Sequence, residues 1–241
     1  SDFPPADLHD PEAVRRLFDE MAETYDRVNL ITSFGFSRRW RRQLVNRADL
    51  TPGSVICDIM CGIGETWSAI DQVTGSGAKL LGVDFSAGML SRAQSVASHF
   101  EIDVDVLQAD VLESGIPDAS VDHVICGFGM KTLSQGQQRR LAAELYRILR
   151  PGGTFAIVEV STPRRRWIRV PVMAYLNRAL PWCGRLLLGN PDNYRMLGIY
   201  TEAVGDCRAV AQIMRDAGLE AQFDDYFAGC ATGVSGRRPL H

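Results

Sequence analysis

Residues 53–67 read GSVICDIMCGIGETW. An apolar run in this stretch ends in Asp58, and the loop that follows carries Gly62 and Gly64. A helix is predicted to begin near Glu65. A strand, a glycine loop and a helix in this order can hold a dinucleotide, a nucleoside cofactor without a phosphate, or no ligand at all.

Short β-branched runs alternate with helical patterns along the rest of the chain. The predicted strands cover residues 54–58, 79–83, 103–107, 121–127, 154–160, 220–227 and 229–234. The predicted helices begin at residues 11 and 37 and then cover residues 65–73, 86–98, 134–149 and 206–216. This alternation predicts an α/β fold whose parallel sheet has helices on both faces and an antiparallel pair at its end.

Composition divides the chain into four segments of one domain. A helical cap over residues 1–50 precedes the core over residues 51–161, where a cofactor is predicted to bind. Residues 162–205 are rich in Arg, Pro, Trp and Leu and are predicted to form a helical lid, followed by a closing helix and strands over residues 206–241. The amphipathic lid also suits a peripheral contact with a membrane surface. Of these two interpretations, a lid over an apolar substrate is favoured over a membrane contact, because the apolar residues 186–188 continue the lining of the lid.

Composition and charge exclude several classes of protein. The chain has 241 residues, of which 46% are apolar and 23% charged, and its formal net charge is −3. These values are ordinary for a globular protein and provide no basic field to bind nucleic acid. No stretch approaches the ~20 apolar residues that span a bilayer, and the N-terminus lacks the apolar core of a signal peptide, so we expect a cytoplasmic protein. The scattered cysteines and histidines predict no metal site, and both a monomer and a homodimer remain open.

The glycine loop differs from a pyrophosphate-binding loop at two positions. In the pattern G-x-G-x-x-G, the third small residue lets the helix pack closely against the strand, whereas Trp67 occupies that position here. Glu65 lies in the predicted first turn of the helix, where its carboxylate competes with a phosphate for the helix N-terminus. Both differences disfavour NAD and FAD, and with them a nicotinamide oxidoreductase.

Acidic residues follow three successive predicted strands. Asp84 ends the second strand, roughly 20 residues after the glycine loop, where a carboxylate can accept hydrogen bonds from both hydroxyls of a ribose. Asp110 follows the third strand and can accept from the exocyclic amine of an adenine, and Asp58 can attract an ammonium group. A ribose site without a phosphate site predicts S-adenosyl-L-methionine. The alternative, polar strand ends without a ligand, would explain one such residue better than three.

Several motifs occur in a fixed order along nearly the whole chain. They are YDRVNLITSFGFSRRW (25–40), the glycine loop, GVDFSAGML (82–90), QADVLESGIPDASVDHVICGFGMKTL (108–133), LYRILRPGGTFAIVEVS (145–161) and LPWCGRLLLGNPDNYRML (180–197). The chain resembles the class I S-adenosylmethionine-dependent methyltransferases, and within them the ubiquinone/menaquinone biosynthesis C-methyltransferase family. The resemblance implies a Rossmann-like, seven-stranded, mostly parallel sheet with its last strand antiparallel. It also implies methyl transfer to an electron-rich carbon.

The cofactor half of the chain fits this resemblance well. We assign the cofactor to residues at the predicted strand ends and in the loops and helix starts that follow them. These residues are Asp58, Met60, Cys61, Gly62, Gly64, Asp84, Phe85, Met89, Asp110, Val111, Cys126 and Gly127.

The substrate half departs from the family. The family's FG-x-R-N segment, whose Arg-Asn pair faces the quinol, ends here in Lys131-Thr132. Ile199-Tyr200 replaces a polar pair, and the glycine loop carries Cys61 for Gly and Glu65 for Asp. The acceptor is therefore predicted to be a small apolar phenol or enol, either a quinol precursor or a specialised metabolite. Methylation of O, N or S, and a cyclisation steered by the cofactor without methyl transfer, are the alternatives.

Lys131 and Tyr25 are the predicted catalytic residues. Lys131 follows the fourth strand, where its ammonium can stabilise an oxyanion, whereas acting as a base would require burial to lower its pKa. Tyr25 is predicted to fold over the cofactor, and its alternative is a core tyrosine. The predicted substrate-binding residues are Phe128, Met130, Tyr194 and Tyr200.

Two other patterns suggest functions that we disfavour. The arginine runs at 38–42 and 164–167 contain tryptophan, as nucleic-acid-binding segments can, but the net charge is negative and such faces are usually just solvated. Cys57 and Cys61 have no basic neighbour in sequence that would lower a thiol pKa, so a reactive thiol is not predicted.

Overall fold

The computed structural model of the protein describes residues 8–22, 33, 35–180 and 191–241. Its centre is a seven-stranded sheet with the strand order β3-β2-β1-β4-β5-β7-β6. The strands are β1 Val55–Ile59, β2 Lys79–Asp84, β3 Asp103–Gln108, β4 Val121–Gly127, β5 Leu149–Val160, β6 Glu220–Asp225 and β7 Ala231–Arg237.

The sheet is parallel except for its last strand. β1 pairs in parallel with both β2 and β4, and β3 and β5 extend the parallel part on either side. β7 lies between β5 and β6 and is antiparallel to both. The predicted Rossmann-like sheet with its last strand antiparallel is thus confirmed, and its strand order reverses between β1 and β4, where open α/β sheets bind ligands.

The helices lie close to the predicted boundaries. They are α1 Pro11–Met21, α2 Phe36–Arg47, α3 Trp67–Thr74, α4 Ala87–Ala97, α5 Gln135–Ile148, α6 Arg166–Ala174, α7 Pro191–Val204 and α8 Arg208–Asp216. α1 begins as its sequence predicts, with Asp10 accepting from the backbone N–H of Ala13 at 2.9 Å and Pro11 at the first position. A short 3₁₀ turn, Met130–Thr132, follows β4.

α3 begins two residues later than the predicted start at Glu65. Gly64 adopts a φ of 79° and its carbonyl accepts from the N–H of Trp67 at 3.1 Å, so the chain still turns at this point. The first bond of the helical i to i+4 type joins the N–H of Ile70 to the carbonyl of Thr66.

Both faces of the sheet are buried. Phe155 and Ile157 of β5 pack into one apolar cluster, and the alternate residues Ala156 and Val158 pack into another on the opposite face. A strand that is buried on both faces requires a continuous apolar run, which is what β5 provides.

The N-terminal helix and the predicted lid contact each other. Val14 of α1 packs against Met196 and Tyr200 of α7, and the hydroxyl of Tyr200 donates to the carbonyl of Leu8 at 2.8 Å. These contacts hold α1 in place beside the carboxyl ends of the strands.

α6, in the predicted lid, has one packed face and one exposed face. Ile168 and Val172 pack onto the core, whereas Trp167 is 72% exposed. Residues 186–188, predicted to line the lid, lie outside the described residues. Within the described part of the chain, no helix combines the length and the apolar character that crossing a bilayer requires.

Candidate functional site

A cleft opens beyond the carboxyl ends of β1, β2 and β4 and the loop after β3. Nine of the predicted cofactor residues line this cleft: Met60, Cys61, Gly62, Asp84, Phe85, Met89, Asp110, Val111 and Gly127. The structure therefore brings together side chains from four separate strand ends, as the parallel sheet predicts.

Asp84 is fixed in the wall of the cleft by two backbone hydrogen bonds. Its Oδ2 accepts from the N–H of Gly62 at 2.9 Å, and its Oδ1 accepts from the N–H of Ser86 at 3.0 Å. Burial raises the pKa of the Asp84 carboxyl, and these backbone bonds oppose the rise. Each carboxylate oxygen has a second lone pair, so the group can still accept from two hydroxyls.

The glycine loop presents its backbone to the cleft. Gly62 adopts a φ of 56°, and a Cβ added there would meet no atom of the described residues within 4 Å. The space beside Gly62 is therefore open to a ligand that approaches the main chain closely. Asp110, at the far end of the cleft, has its Oδ1 bound by the N–H of Leu112 at 2.9 Å, which orients the carboxylate.

Two glycines explain how the loop tolerates Trp67, a large residue, at the third glycine position of the pattern. A Cβ at Gly64 would lie 2.6 Å from the Trp67 Cε3, and a Cβ at Gly82 of β2 would lie 2.5 Å from its Cζ2. Glycines at 64 and 82 thus make the space that the fully buried indole fills. Close packing between helix and strand is achieved here by a large residue against two small ones.

Asp58, Gly64 and Cys126 do not line the cleft. Asp58 is only 1% exposed, and its Oδ2 accepts from the Trp67 Nε1 at 3.0 Å. Cys126 is fully buried within β4, and Gly64 packs against Trp67. The Asp58 carboxylate therefore contacts the indole and does not line the cleft.

Burial raises the pKa of the Asp58 carboxyl to about 7, although the Trp67 hydrogen bond and the charge of Arg41 oppose the rise. The folded pKa thus lies above the unfolded value near 3.8. Between these two values the folded state binds more protons than the unfolded state, so the contribution of Asp58 to stability is present at low pH and is lost as pH rises towards 7.

We therefore expect Asp58→Asn to remove this pH dependence. Relative to the parent, the variant should gain on the order of a few kcal/mol in free energy of unfolding between pH 4 and 8, because a neutral amide can still accept from Trp67. Urea unfolding of both proteins across this range measures the difference, in which other titrating groups cancel. A difference that stays constant with pH would contradict the raised pKa.

Lys131, the first predicted catalytic residue, does not line the cleft. It is 4% exposed, and its Nζ donates to the Glu159 Oε1 at 2.8 Å and to the carbonyl of Phe128 at 2.6 Å. The Lys131 side chain turns away from the cleft because Glu159, a fully buried carboxylate on β5, requires a cation. The Lys131 ammonium is therefore in contact neither with bulk solvent nor with the cleft.

The other predicted substrate and catalytic residues have different positions. Phe128 lines the cleft, Met130 is fully buried behind it, and Tyr200 is 2% exposed with its hydroxyl on the Leu8 carbonyl. Tyr25 lies outside the described residues, as does the side chain of Tyr194.

Two charged residues of the cleft, Arg41 and Glu65, were not predicted to contact a ligand. Arg41 of α2 lies in an arginine run that we interpreted as solvated, and Glu65 was considered only as a group that repels phosphate. A helical stripe formed by Trp40, Leu44 and Val45 places Arg41 on the buried face, so the periodicity of α2 carried the missed signal.

His9 also lines the cleft and was interpreted only as one of four scattered histidines. Its Nδ1 lies 3.0 Å from the carbonyl of Thr132, which can only accept, so Nδ1 carries the proton of this bond. No sequence pattern around position 9 indicates this contact, because Thr132 lies 123 residues away.

The residues present suit S-adenosyl-L-methionine. The fixed carboxylate of Asp84 and the open space at Gly62 match a ribose and a chain lying along the loop, and Asp110 can accept from an amine beyond them. Apolar side chains such as Phe18, Phe128 and Leu133 form the remaining walls of the cleft.

Comparisons with known proteins agree with this assignment. Residues 6–236 match the ubiE/COQ5 methyltransferase family. The chain is 32% identical to the demethylmenaquinone methyltransferase of Thermus thermophilus over 92% of this chain and all of that protein. It is 33% identical to the enzyme of the same name from Corynebacterium urealyticum, over 96% of each chain.

Solved structures show the same fold at lower identity. Geranyl diphosphate C-methyltransferase from Streptomyces coelicolor superposes with a TM-score of 0.59 at 13% identity, covering 83% of this chain and 77% of that one. A methyltransferase described from Aquifex aeolicus gives 0.57 at 19% identity, covering 81% and 88%. The chain belongs to the ubiE/COQ5 methyltransferase family and is an S-adenosylmethionine-dependent methyltransferase.

Proposed function

We propose that this chain binds S-adenosyl-L-methionine in the cleft and transfers its methyl group to a ring carbon of a quinol-type acceptor. The observation that carries the proposal is the Asp84 carboxylate, which is held by Gly62 and Ser86 at the end of β2 and faces the cleft. The acceptor class is supported by the demethylmenaquinone methyltransferases that the chain resembles over most of its length.

When bound, the sulfonium would supply an electrophilic methyl group for an in-line displacement. The S–CH3 bond would break, S-adenosylhomocysteine would leave, and the methylated ring carbon would lose one proton. The chain's own contribution is positioning: Asp84 would accept from the ribose hydroxyls and Asp110 from the adenine amine. Phe128, in the loop after β4, lines the same cleft and would contact the acceptor beside the bound cofactor.

The acceptor would lie against the apolar walls of the cleft. Phe128 and Leu133 follow β4, and Val14 and Phe18 of α1 face them. Such a lining excludes water, which protects an activated methyl group from hydrolysis and suits an aromatic acceptor. Lys131 has no direct part in this mechanism, because its ammonium lies in the buried pair with Glu159.

The experiment is methyl transfer from labelled cofactor to a naphthoquinol that lacks the ring methyl group and carries a short isoprenoid chain. We expect one labelled methyl on the ring carbon, located by NMR. The oxidised quinone is the matched control, because it lacks the electron-rich carbon and should accept no methyl group.

Three outcomes would contradict parts of the proposal. Label on the quinol oxygen would overturn carbon methylation, and no transfer to any naphthoquinol or benzoquinol would overturn the acceptor class. No binding of S-adenosylhomocysteine by calorimetry would overturn the cofactor itself.

A further inference from the structure

Arg41 is a buried cation, and two of its nitrogen atoms find no acceptor in the described part of the chain. The residue is 4% exposed, and its Nη2 donates to the Glu65 Oε2 at 2.5 Å. Its Nε and Nη1 are also buried and have no hydrogen-bond partner among the residues that the structure describes. Buried donors without an acceptor are rare in native proteins, and they are most destabilising when the group is charged. These two nitrogens therefore require an explanation.

The Arg41 guanidinium lies at the point where the strand order reverses. The Arg41 Cζ is 4.8 Å from the centre of the Phe128 ring, and a Cβ added at Gly127 would lie 4.0 Å from the Arg41 Nε. Both of these residues belong to the end of β4 and its loop, whereas Glu65 belongs to the loop after β1. Arg41 and Glu65 both line the cleft that also contains Asp84.

The strand order fixes which end of a cofactor would reach this pair. Asp110, Asp84 and Glu65 follow β3, β2 and β1, and Phe128 follows β4, so the four residues mark successive strands of the sheet. Three strand spacings amount to about 14 Å. If adenine lies at Asp110 and ribose at Asp84, the remaining chain of the cofactor extends towards Glu65 and Arg41.

We propose that Arg41 and Glu65 form the subsite for the amino-acid end of the cofactor. The α-carboxylate would accept hydrogen bonds from the unsatisfied nitrogens of Arg41, and the α-ammonium would lie against Glu65. Guanidinium–carboxylate contacts are among the stronger hydrogen bonds in proteins, and the surrounding apolar cleft strengthens them. The proposal rests on the proposed function, because it presumes that the cleft binds S-adenosylmethionine.

This assignment also accounts for Asp58. Asp58 is 1% exposed and does not line the cleft, so its carboxylate is not placed to contact the ammonium directly. Glu65 lines the cleft directly, and its side chain is 21% exposed. Glu65, at the end of the glycine loop, would thus bind the cofactor in addition to disfavouring a phosphate.

The test compares ligands that share the nucleoside and differ at the amino-acid end. S-adenosylhomocysteine carries both charges, its decarboxylated analogue keeps only the ammonium, and 5′-methylthioadenosine has neither. In calorimetry, Arg41→Gln should lower the affinity for S-adenosylhomocysteine by about 10- to 100-fold. The affinities for the other two ligands should stay within about threefold of the parent's. Glu65→Gln should lower the affinities for S-adenosylhomocysteine and its decarboxylated analogue and leave that for 5′-methylthioadenosine unchanged.

Arg42→Gln is the matched control, because Arg42 is an exposed arginine on the same helix, and all three ligands should bind it as they bind the parent. If Arg41→Gln folds poorly, Arg41→Lys keeps the charge and should recover part of the affinity for S-adenosylhomocysteine.

Several outcomes would overturn the subsite. If Arg41→Gln lost the same affinity for all three ligands, the substitution would have caused a general defect of the cleft. If it lost no affinity for S-adenosylhomocysteine, Arg41 would not contact the cofactor. A raised KM for the acceptor with unchanged cofactor affinity would assign Arg41 to the acceptor. If the parent binds 5′-methylthioadenosine and S-adenosylhomocysteine equally well, the subsite fails while the nucleoside site of the proposed function survives.

Discussion

Asp84→Asn should weaken the binding of S-adenosylhomocysteine by about 100-fold, which is the largest loss of affinity that we expect from one substitution in the cleft. Hydrogen bonds to a charged group contribute about 1.5–3 kcal/mol each, and the substitution removes charge from both ribose contacts. It also places an amide N–H against one of the backbone donors, Gly62 or Ser86, that now hold the carboxylate. Calorimetry with S-adenosylhomocysteine measures the loss.

Asp103→Asn provides the control, because Asp103 is an exposed acid at the opposite end of the neighbouring strand β3. Its affinity for S-adenosylhomocysteine should equal that of the parent. Thermal unfolding separates a binding defect from a folding defect. An Asp84→Asn protein that is folded and binds the ligand within about threefold of the parent would remove Asp84 from the cofactor site.

The fold was predictable from sequence because local patterns determine it. Most strands of the parallel part contain a short apolar run, and three helices begin after a side-chain cap at Asp10, Ser86 or Ser134. The alternation of these strands and helices permits few topologies. The location of the cofactor site was predictable for a similar reason, because residues that follow parallel strands lie together at one edge of the sheet. Nine of the twelve predicted cofactor residues line the cleft for this reason.

The positions of individual charged side chains were not predictable in the same way. Lys131 and Glu159 pair across 28 residues, and nothing in the apolar run of β5 indicates which cation its one carboxylate will meet. Asp58 depends on Trp67 in a similar manner, because the hydrogen bond exists only once the indole is packed between Gly64 and Gly82. Such pairings follow from tertiary packing, which a single sequence does not encode locally.

The strongest effect on stability should come from Lys131→Met. Removing one partner of a buried ion pair leaves an uncompensated charge, which costs about 3–5 kcal/mol. Glu159 would retain two backbone donors, the N–H groups of Lys131 at 3.1 Å and Val160 at 2.8 Å. We therefore expect a loss near the lower limit, about 3 kcal/mol in the free energy of unfolding, measured with urea.

A double-mutant cycle separates the pair from the rest of the molecule. Lys131→Met combined with Glu159→Leu should recover most of the loss, because replacing both charges with apolar groups leaves nothing unpaired. Arg237→Met is the surface control. The two partners of its pair with Glu220 are 64% and 56% exposed, so the loss of stability should be far smaller than that of Lys131→Met.

The same variant decides between a structural and a catalytic lysine. Because Lys131 does not line the cleft, folded Lys131→Met should bind S-adenosylhomocysteine within about threefold of the parent. If Lys131→Met instead kept its full stability and lost methyl transfer, the ammonium would have to leave Glu159 and enter the cleft during the reaction. A loss of stability that the double variant restores, with cofactor affinity unchanged throughout, would show that Lys131 supports the loop after β4, and thereby Phe128, from behind.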